Sequence, residues 1–276
     1  MDLVVFDLDG TLLNADHFIS ARTGRVLQEL TRNEVAYTVA TGRSIYSART
    51  VLNGHVFGLP QIFRNGVMTW NPSTGVLSRN HCLTLTEIEP VITVMLAQDL
   101  SPFIATVEQD DSHRIYHPPV TQEVERRLAD YFTKAQDLTV KPLAELSPDA
   151  AIVGISGIGD RGPIDRIAAL IEEEPHLVAY SGNSFEGDAW RWIDIHHIDA
   201  TKGNAVTRLR KELGATQVLC FGDGQNDLSM FEIADESFAP ANAADEIKSR
   251  ASSVIGHHDQ DGVANYLVER YSLQLD

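Results

Sequence analysis

The chain reads as an α/β protein: a Rossmann-like, doubly wound parallel sheet into which an α+β domain is inserted. Three observations predict this class. At both ends of the chain, short apolar runs alternate with amphipathic helical stretches, the rhythm of a parallel sheet with right-handed crossovers. Polar clusters containing glycine close several of those runs, at the strand ends where such sheets bind ligands. Between them, strands and helices group together as in a separate α+β unit. The expected division is residues 1–82 with 187–276 for the parallel-sheet core and 83–186 for the insertion, and 276 residues suffice for both.

Taken in order, LVVFD (3–7) is a short buried strand, and residues 20–33 form a helix capped by Ser20, with Val26, Leu27 and Leu30 on one face. AYTVA (36–40) is the second strand; it ends in TGRS, whose Ser44 can cap a helix running to about Asn53. QIFRN (61–65) is the third strand, and VMTWNPSTGVLSRN is a hairpin turning at 71–75. The middle holds a helix over 86–97, strands PFIAT and HRIYH, and a helix from Val120. A Pro-containing connector over 137–149 leads to a strand at 151–156, a helix at 163–173 and the strand HLVAY. The late chain resumes the alternation: a helix from near Lys202, the strand QVLCF (217–221), a helix from near Gln225, the short strand SFAPA, a helix from Ala243, SSVI, and a last helix over 262–271. There is no internal repeat and no low-complexity segment.

Composition narrows the function classes. Apolar residues make up 43% and charged residues 22%, ordinary for a globular protein. The net charge of −17 argues against a nucleic-acid partner, which needs a cationic surface. No apolar stretch approaches a membrane span, and Asp2 with the DLDG segment interrupts any early signal-like run, so a cytoplasmic protein with no membrane partner is expected. Cys82 and Cys220 are far apart and form neither a disulfide framework nor a CxxC pair; Cys220, within QVLCF, is expected to be a buried thiol.

Four separate segments bring polar residues to one edge of the predicted sheet. FDLDGT follows the first strand, ATGRS the second, GDGQND (222–227) follows QVLCF, and TKGNA (201–205) opens the helix leading into that strand. Their polar members are Asp7, Asp9, Thr41, Arg43, Lys202, Asp223, Asn226 and Asp227. Asp7 and Asp9 fall on one side of an extended chain, because side chains alternate with period two. A cluster of Asp7, Asp9, Asp223 and Asp227 cannot stay ionised without a compensating cation. Oxygen donors without histidine or thiolate fit a hard cation, best Mg²⁺ keeping some of its waters. With Lys202 and Arg43, such a cation offsets the repulsion between carboxylates and a phosphate, while amides around Gly10 and Thr11 can cradle anionic oxygens.

DLDGT, TGR, a lysine opening a helix and GDGQND, in that order, resemble the haloacid dehalogenase superfamily of phosphatases. FRNGV (63–67) looks like the NGA segment of its Cof-type branch. IDIHHIDATKGNAV looks like that branch's strand-loop-Lys-Gly passage, and ANAADEIKSRASSVIGHHDQDGVANYL resembles its C-terminal region. Residues 83–186 have the place and size of a C2-type (IIB) cap. Two departures bear on the pocket wall: APANA (239–243) where many relatives have AMGNA, and Asn65-Gly66-Val67 where many have NGA.

The resemblance implies a Mg²⁺-dependent phosphoric monoester hydrolase acting on a small phosphorylated metabolite, a sugar phosphate or a cofactor phosphate. Asp7 would be the nucleophile that becomes an aspartyl-phosphate, and Asp9 the general acid and base. Asp7 and Asp223, with the backbone carbonyl of Asp9, would hold the metal, supported by Asp227. Thr41 and Lys202 would hold phosphoryl oxygens, Asn226 would orient Asp7 or the phosphate, and Gly42, Arg43 and Asn65 would line the substrate site. The inserted domain would supply selectivity, and the expected assembly is a monomer or a small homo-oligomer. The alternatives are a phosphomannomutase-like mutase and, disfavoured by the intact Asp7, Asp9, Lys202 and Asp223 set, a non-catalytic phosphate sensor.

Elsewhere the plainer reading prevails. The adjacent pairs His196-His197 and His257-His258 look like zinc ligands, but neighbouring loop histidines are usually just exposed and no partner has helical spacing. Trp190 and Trp192, on one side of a strand, read as packing residues. GISGIG lacks the third glycine of a dinucleotide loop.

Overall fold

The computed structural model describes residues 1–135, 138–184 and 187–275. The chain divides into two compact units, Met1–Ser78 with Ala200–Asp276, and Arg79–Asp199. The first unit opens with β1 (Asp2–Phe6), whose Leu3, Val4, Val5 and Phe6 are all fully buried. A parallel strand buried on both faces has no polar side, so its sequence does not alternate. Next come α1 (Ala21–Arg32), β2 (Ala36–Val39) and α2 (Ile45–Leu52). Both helices start at a serine cap: Ser20 accepts from the Thr23 amide and Ser44 from the Ser47 amide. Val26, Leu27 and Leu30 form the buried face of α1. A small sheet follows, β3 (Gln61–Phe63), β4 (Met68–Asn71) and β5 (Val76–Arg79), and a parallel bridge from Ala40 to Ile62 ties β3 to the end of β2.

The second unit contains α3 (Leu85–Ala97), β6 (Phe103–Val107), β7 (His113–His117), α4 (Glu123–Lys134), β8 (Leu138–Pro142), β9 (Ile152–Asp160), α5 (Arg161–Ile171), β10 (Leu177–Ser184) and β11 (Gly187–His197). Its six-stranded sheet runs β10-β11-β9-β6-β7-β8, antiparallel except for the β7/β8 pair. Two expectations change here. The connector predicted over 137–149 contains β8, which pairs in parallel register with β7 from His113 to His117; residue 137 itself lies outside the described residues. Residues 187–197, expected in the core, form β11, which pairs with both β10 and β9 and so belongs to the second unit; the expected boundary residue 186 is also outside the description. The GISGIG glycines lie in β9, where a Cβ on Gly157 would sit 2.8 Å from Met95 and one on Gly159 2.4 Å from Leu100. They let α3 and the chain after it pack close, which is the structural use of glycine in a strand. Trp192 packs across the sheet onto Gly182, its partner in register.

The chain then returns to the first unit with α6 (Lys202–Leu213), β12 (Gln217–Phe221), α7 (Leu228–Ile233), β13 (Glu236–Pro240), α8 (Asp245–Arg250), β14 (Ser253–Ile255) and α9 (Gly262–Tyr271). The main sheet has the order β14-β13-β12-β1-β2, every pairing parallel. β1 therefore has β2 on one side and β12 on the other. The winding direction reverses there, and in such sheets the crevice beyond the carboxyl ends of the two central strands is the ligand site. No helix among the described residues is long and apolar enough to cross a membrane.

Candidate active site

Asp7 follows β1 directly, and its amide continues the ladder by donating to the Phe221 carbonyl at 2.9 Å. The strand end thus fixes the Asp7 backbone before its carboxylate leaves the sheet. That carboxylate is nearly buried and meets Lys202 Nζ at 2.5 Å. The ammonium also reaches Asp227 Oδ1 at 2.6 Å, and both Lys202 and Asp227 are fully buried. Thr201, capping α6 by accepting from the Asn204 amide, places Lys202 at the first helical position, aimed at the sheet edge. Burial alone would lower the Lys202 pKa, but Asp227 and Asp7 outweigh it and hold the amine above its usual value. Burial pushes the Asp7 carboxyl well above the usual range against the pull of Lys202, with Asp227, Asp223 and Asp9 adding to the rise.

Asp227 also anchors the loop after β12, since its Oδ2 accepts from the Asp223 amide at 3.0 Å and the Gly224 amide at 2.9 Å. Asp223 in turn accepts from the Thr11 hydroxyl at 2.9 Å. Gly10 adopts the left-handed region (φ +72°), and a Cβ there would lie 2.2 Å from Asp223 Oδ2, so only glycine allows this approach. Burial and the neighbouring Asp227 push Asp223 up to about 6, against the Thr11 hydrogen bond. One oxygen from each of Asp7, Asp223 and Asp227 lies within 4.8 Å of the others. Three carboxylates share one buried ammonium, so the cluster has uncompensated negative charge, and its donors are all oxygen. Both facts fit a hard divalent cation.

Asp9 is arranged differently from the sequence expectation. The chain leaves the extended conformation after β1 and folds into a tight turn over Leu8–Leu12, so strand alternation does not govern the Asp9 side chain. Its carboxylate is not in the acidic cluster but faces Arg43, with Nε at 2.6 Å from Oδ2 and Nη2 at 2.6 Å from Oδ1, and His17 Nδ1 at 3.2 Å. Burial works to raise the Asp9 pKa, but the Arg43 contacts and His17 hold it below the usual carboxylate value.

Thr41, Gly42, Arg43 and Asn65 come together at the end of β2. The Thr41 hydroxyl accepts from the Arg43 amide at 3.1 Å, and the Thr41 carbonyl accepts from the Asn65 amide at 3.0 Å. Asn65 sits in the left-handed region (φ 54°), and its Oδ1 accepts from Asn226 Nδ2 at 2.8 Å. Asn226 is therefore engaged by Asn65 rather than by Asp7. A Cβ on Gly42 would crowd Asn65 Oδ1 at 3.2 Å.

Three further residues shape this edge. Asn242 donates to the Gly10 carbonyl at 2.8 Å and accepts from the His258 amide, while His258 Nδ1 contacts the Leu13 carbonyl at 2.7 Å. His258 is thus a half-buried loop clamp rather than an exposed histidine. Asn242 could be found from the altered APANA segment, whose NA is retained. His17 gave no sequence signal and His258 was expected to be an exposed loop histidine, because both reach the site from turns whose path is set by tertiary packing.

A parallel α/β unit with this strand-end constellation defines a class of hydrolase, and the comparisons identify it. The model of the haloacid dehalogenase-like hydrolases matches residues 4–267. The chain belongs to that family, as the ordered motifs implied. It is similar to the 5-amino-6-(5-phospho-D-ribitylamino)uracil phosphatase of Bacillus subtilis (strain 168), with 26% identity over 98% of each chain. It also resembles the HMP-PP phosphatase of Serratia proteamaculans (strain 568), with 26% identity over 96% of this chain and 93% of that one. Among solved structures, a Thermotoga maritima protein superimposes with a TM-score of 0.76 at 26% identity, covering 99% of this chain and 98% of that one. A subclass IIB sugar phosphatase of the family shares the fold, with a TM-score of 0.75 at 17% identity over 99% of each chain.

Proposed function

We propose that this enzyme is a Mg²⁺-dependent phosphatase that hydrolyses a small phosphomonoester through an aspartyl-phosphate on Asp7. The observation that carries this reading is the buried Lys202 shared by Asp7 and Asp227, beside Asp223, at the carboxyl ends of β1 and β12. Asp7 and Asp223, with the Asp9 backbone carbonyl, would hold Mg²⁺ and Asp227 would support them; the ion when bound supplies positive charge against the carboxylates and the incoming phosphoryl group.

The chain's own residues divide the remaining work. Asp7 attacks phosphorus; the P–O bond to the leaving group breaks as the Asp7–phosphorus bond forms. Lys202 and the Thr41 hydroxyl, both fixed by burial, hold phosphoryl oxygens, which suits a reaction that is mostly positioning and charge stabilisation. Asp9 gives its proton to the leaving oxygen, then takes one from the water that hydrolyses the intermediate. Arg43 favours the ionised form of Asp9, which suits the second step; the proton given in the first comes from the protonated fraction, which this contact makes smaller. Asn65 and Asn226 form a fixed amide pair at the rim that can donate to substrate oxygens.

Two of the relatives are a 5-amino-6-(5-phospho-D-ribitylamino)uracil phosphatase and an HMP-PP phosphatase, and the substrate class proposed for this chain is a sugar phosphate or a cofactor phosphate. All the residues used above lie in the first unit; the inserted unit is proposed to rank substrates. Phosphate release from a panel of such esters, with and without chelator, tests the reading. Turnover of at least one ester that chelation abolishes is expected, and full activity in excess chelator would remove the metal from it.

A further inference from the structure

We propose that the unit Arg79–Asp199 carries a second metal site of a different chemical kind, a Zn²⁺-type transition-metal site formed by His81, His197 and Asp199. One ligating atom from each of these three residues lies within 4.8 Å of the other two. In a tetrahedral site with metal–donor bonds of about 2.0–2.1 Å, donors sit roughly 3.4 Å apart. The His81 and His197 rings already stack, with centroids 5.2 Å apart and planes 26° from parallel. His81 presents its ring from a left-handed backbone (φ 53°) between β5 and α3, where the chain enters this unit. His197 ends β11 and Asp199 follows two residues later, where the chain leaves it. A bound ion would tie the entering and leaving segments together.

The local geometry states what binding exchanges. His197 Nδ1 now accepts from the Asp199 amide at 3.1 Å, and the Asp199 carboxylate is 3.9 Å from the same nitrogen. Ligation through Nδ1 replaces that one hydrogen bond with the metal bond and keeps the carboxylate alongside. His81 and Asp199 are exposed, so solvent can complete the coordination. The Glu87 carboxylate, in electrostatic reach of His197, adds favourable potential for a cation.

Two imidazoles and one carboxylate prefer Zn²⁺, Co²⁺ or Ni²⁺ over Mg²⁺, whereas the Asp7, Asp223 and Asp227 cluster has only hard oxygen donors. This contrast separates the two sites experimentally. Zn²⁺ and Co²⁺ are titrated into the full chain in excess Mg²⁺, which keeps the oxygen site filled. One Zn²⁺ per chain is expected, and Co²⁺ should give the intense visible absorption of a four-coordinate nitrogen-containing site. His81→Gln and His197→Ala should each weaken Zn²⁺ binding by more than about 10-fold, since loss of even an outer partner of a ligand costs about 10–100-fold. Zn²⁺ should raise the melting temperature of the wild type and of Asp223→Asn, but not of either histidine variant. Metal-free melting curves check that the variants fold; if His197→Ala does not, the exposed pair His81→Gln and Asp199→Asn give the same reading. Unchanged Zn²⁺ affinity in the histidine variants, loss of binding in Asp223→Asn, or no Zn²⁺ uptake above the Mg²⁺-competed level would each overturn the site.

Discussion

Arg43 grips Asp9 with two nitrogens, Nε on Oδ2 and Nη2 on Oδ1, each at 2.6 Å. The proposed acid and base is thereby bound to the segment that follows β2. This charge-assisted fork favours the ionised carboxylate. Arg43→Ala should raise the Asp9 pKa, so the acid limb of the kcat profile moves to higher pH. The stability linkage has the opposite form. A depressed folded-state pKa contributes stability above the ordinary carboxylate value that is lost as pH falls through the depressed one. Arg43→Ala should therefore be more destabilising at neutral pH than in acid. An unmoved acid limb would show that Arg43 does not set the protonation of Asp9.

Lys202 is fully enclosed by two carboxylates, Asp7 and Asp227, of which the second is also fully buried. Lys202→Met should lower unfolding free energy by about 3–5 kcal/mol, because removing one partner of a buried pair leaves uncompensated charge. Urea titration measures this. The deficit should shrink as pH falls, when the orphaned carboxylates take up protons.

Asp223, pushed up to about 6 by burial and Asp227, makes metal binding compete with a proton. Its raised folded-state pKa contributes stability below about pH 4, its unfolded value, that is lost as pH rises to about 6. Mg²⁺ should replace the lost contribution. The melting-temperature gain on adding Mg²⁺ is thus expected to be large at about pH 7.5 and small at about pH 5. Equal gains at both would contradict a cation held by Asp223.

Gly10 is confined by both its conformation and its neighbour. Gly10→Ala meets a left-handed penalty of about 1–2 kcal/mol and a contact of 2.2 Å with Asp223. Displacing Asp223 should raise the Mg²⁺ concentration for half-maximal activity by more than about 10-fold. A Mg²⁺ titration of turnover that matches the wild type would disconnect Gly10 from the metal site.

Much of the first unit was legible because its signals are local. The unbroken apolar run 3–6 requires a strand buried on both faces, and Ser20 and Ser44 do cap their helices. Strand ends carrying Asp7, Thr41 and Asp223 follow from the parallel topology itself. What stayed hidden depends on partners distant in sequence. β8 exists because β7 offers an edge, although its own segment carries two prolines and reads as a connector. β11 joins the second unit because β9 and β10 flank it. Asp9 was expected beside Asp7 on strand alternation, which fails because the chain leaves the strand into the turn over Leu8–Leu12, before Asp9 is reached. The His81 and His197 pairing spans most of the inserted unit, so no local spacing reveals it.

The central claim is that Asp7 is the nucleophile and Asp9 the acid and base, and one measurement separates them. Asp9→Ala is mixed with an aryl phosphate in Mg²⁺, and the protein is examined by mass spectrometry while phenol release is followed. An acidic leaving group departs without a proton, so Asp7 should still be phosphorylated, but water then lacks a base. The account predicts a burst of phenol, slow turnover, and a phosphoryl group trapped on Asp7, with alkyl phosphates slowed by about 10²–10⁴-fold. Asp7→Asn should show neither burst nor adduct. Equal losses on aryl and alkyl esters with no trapped adduct in Asp9→Ala would contradict the roles given to both residues.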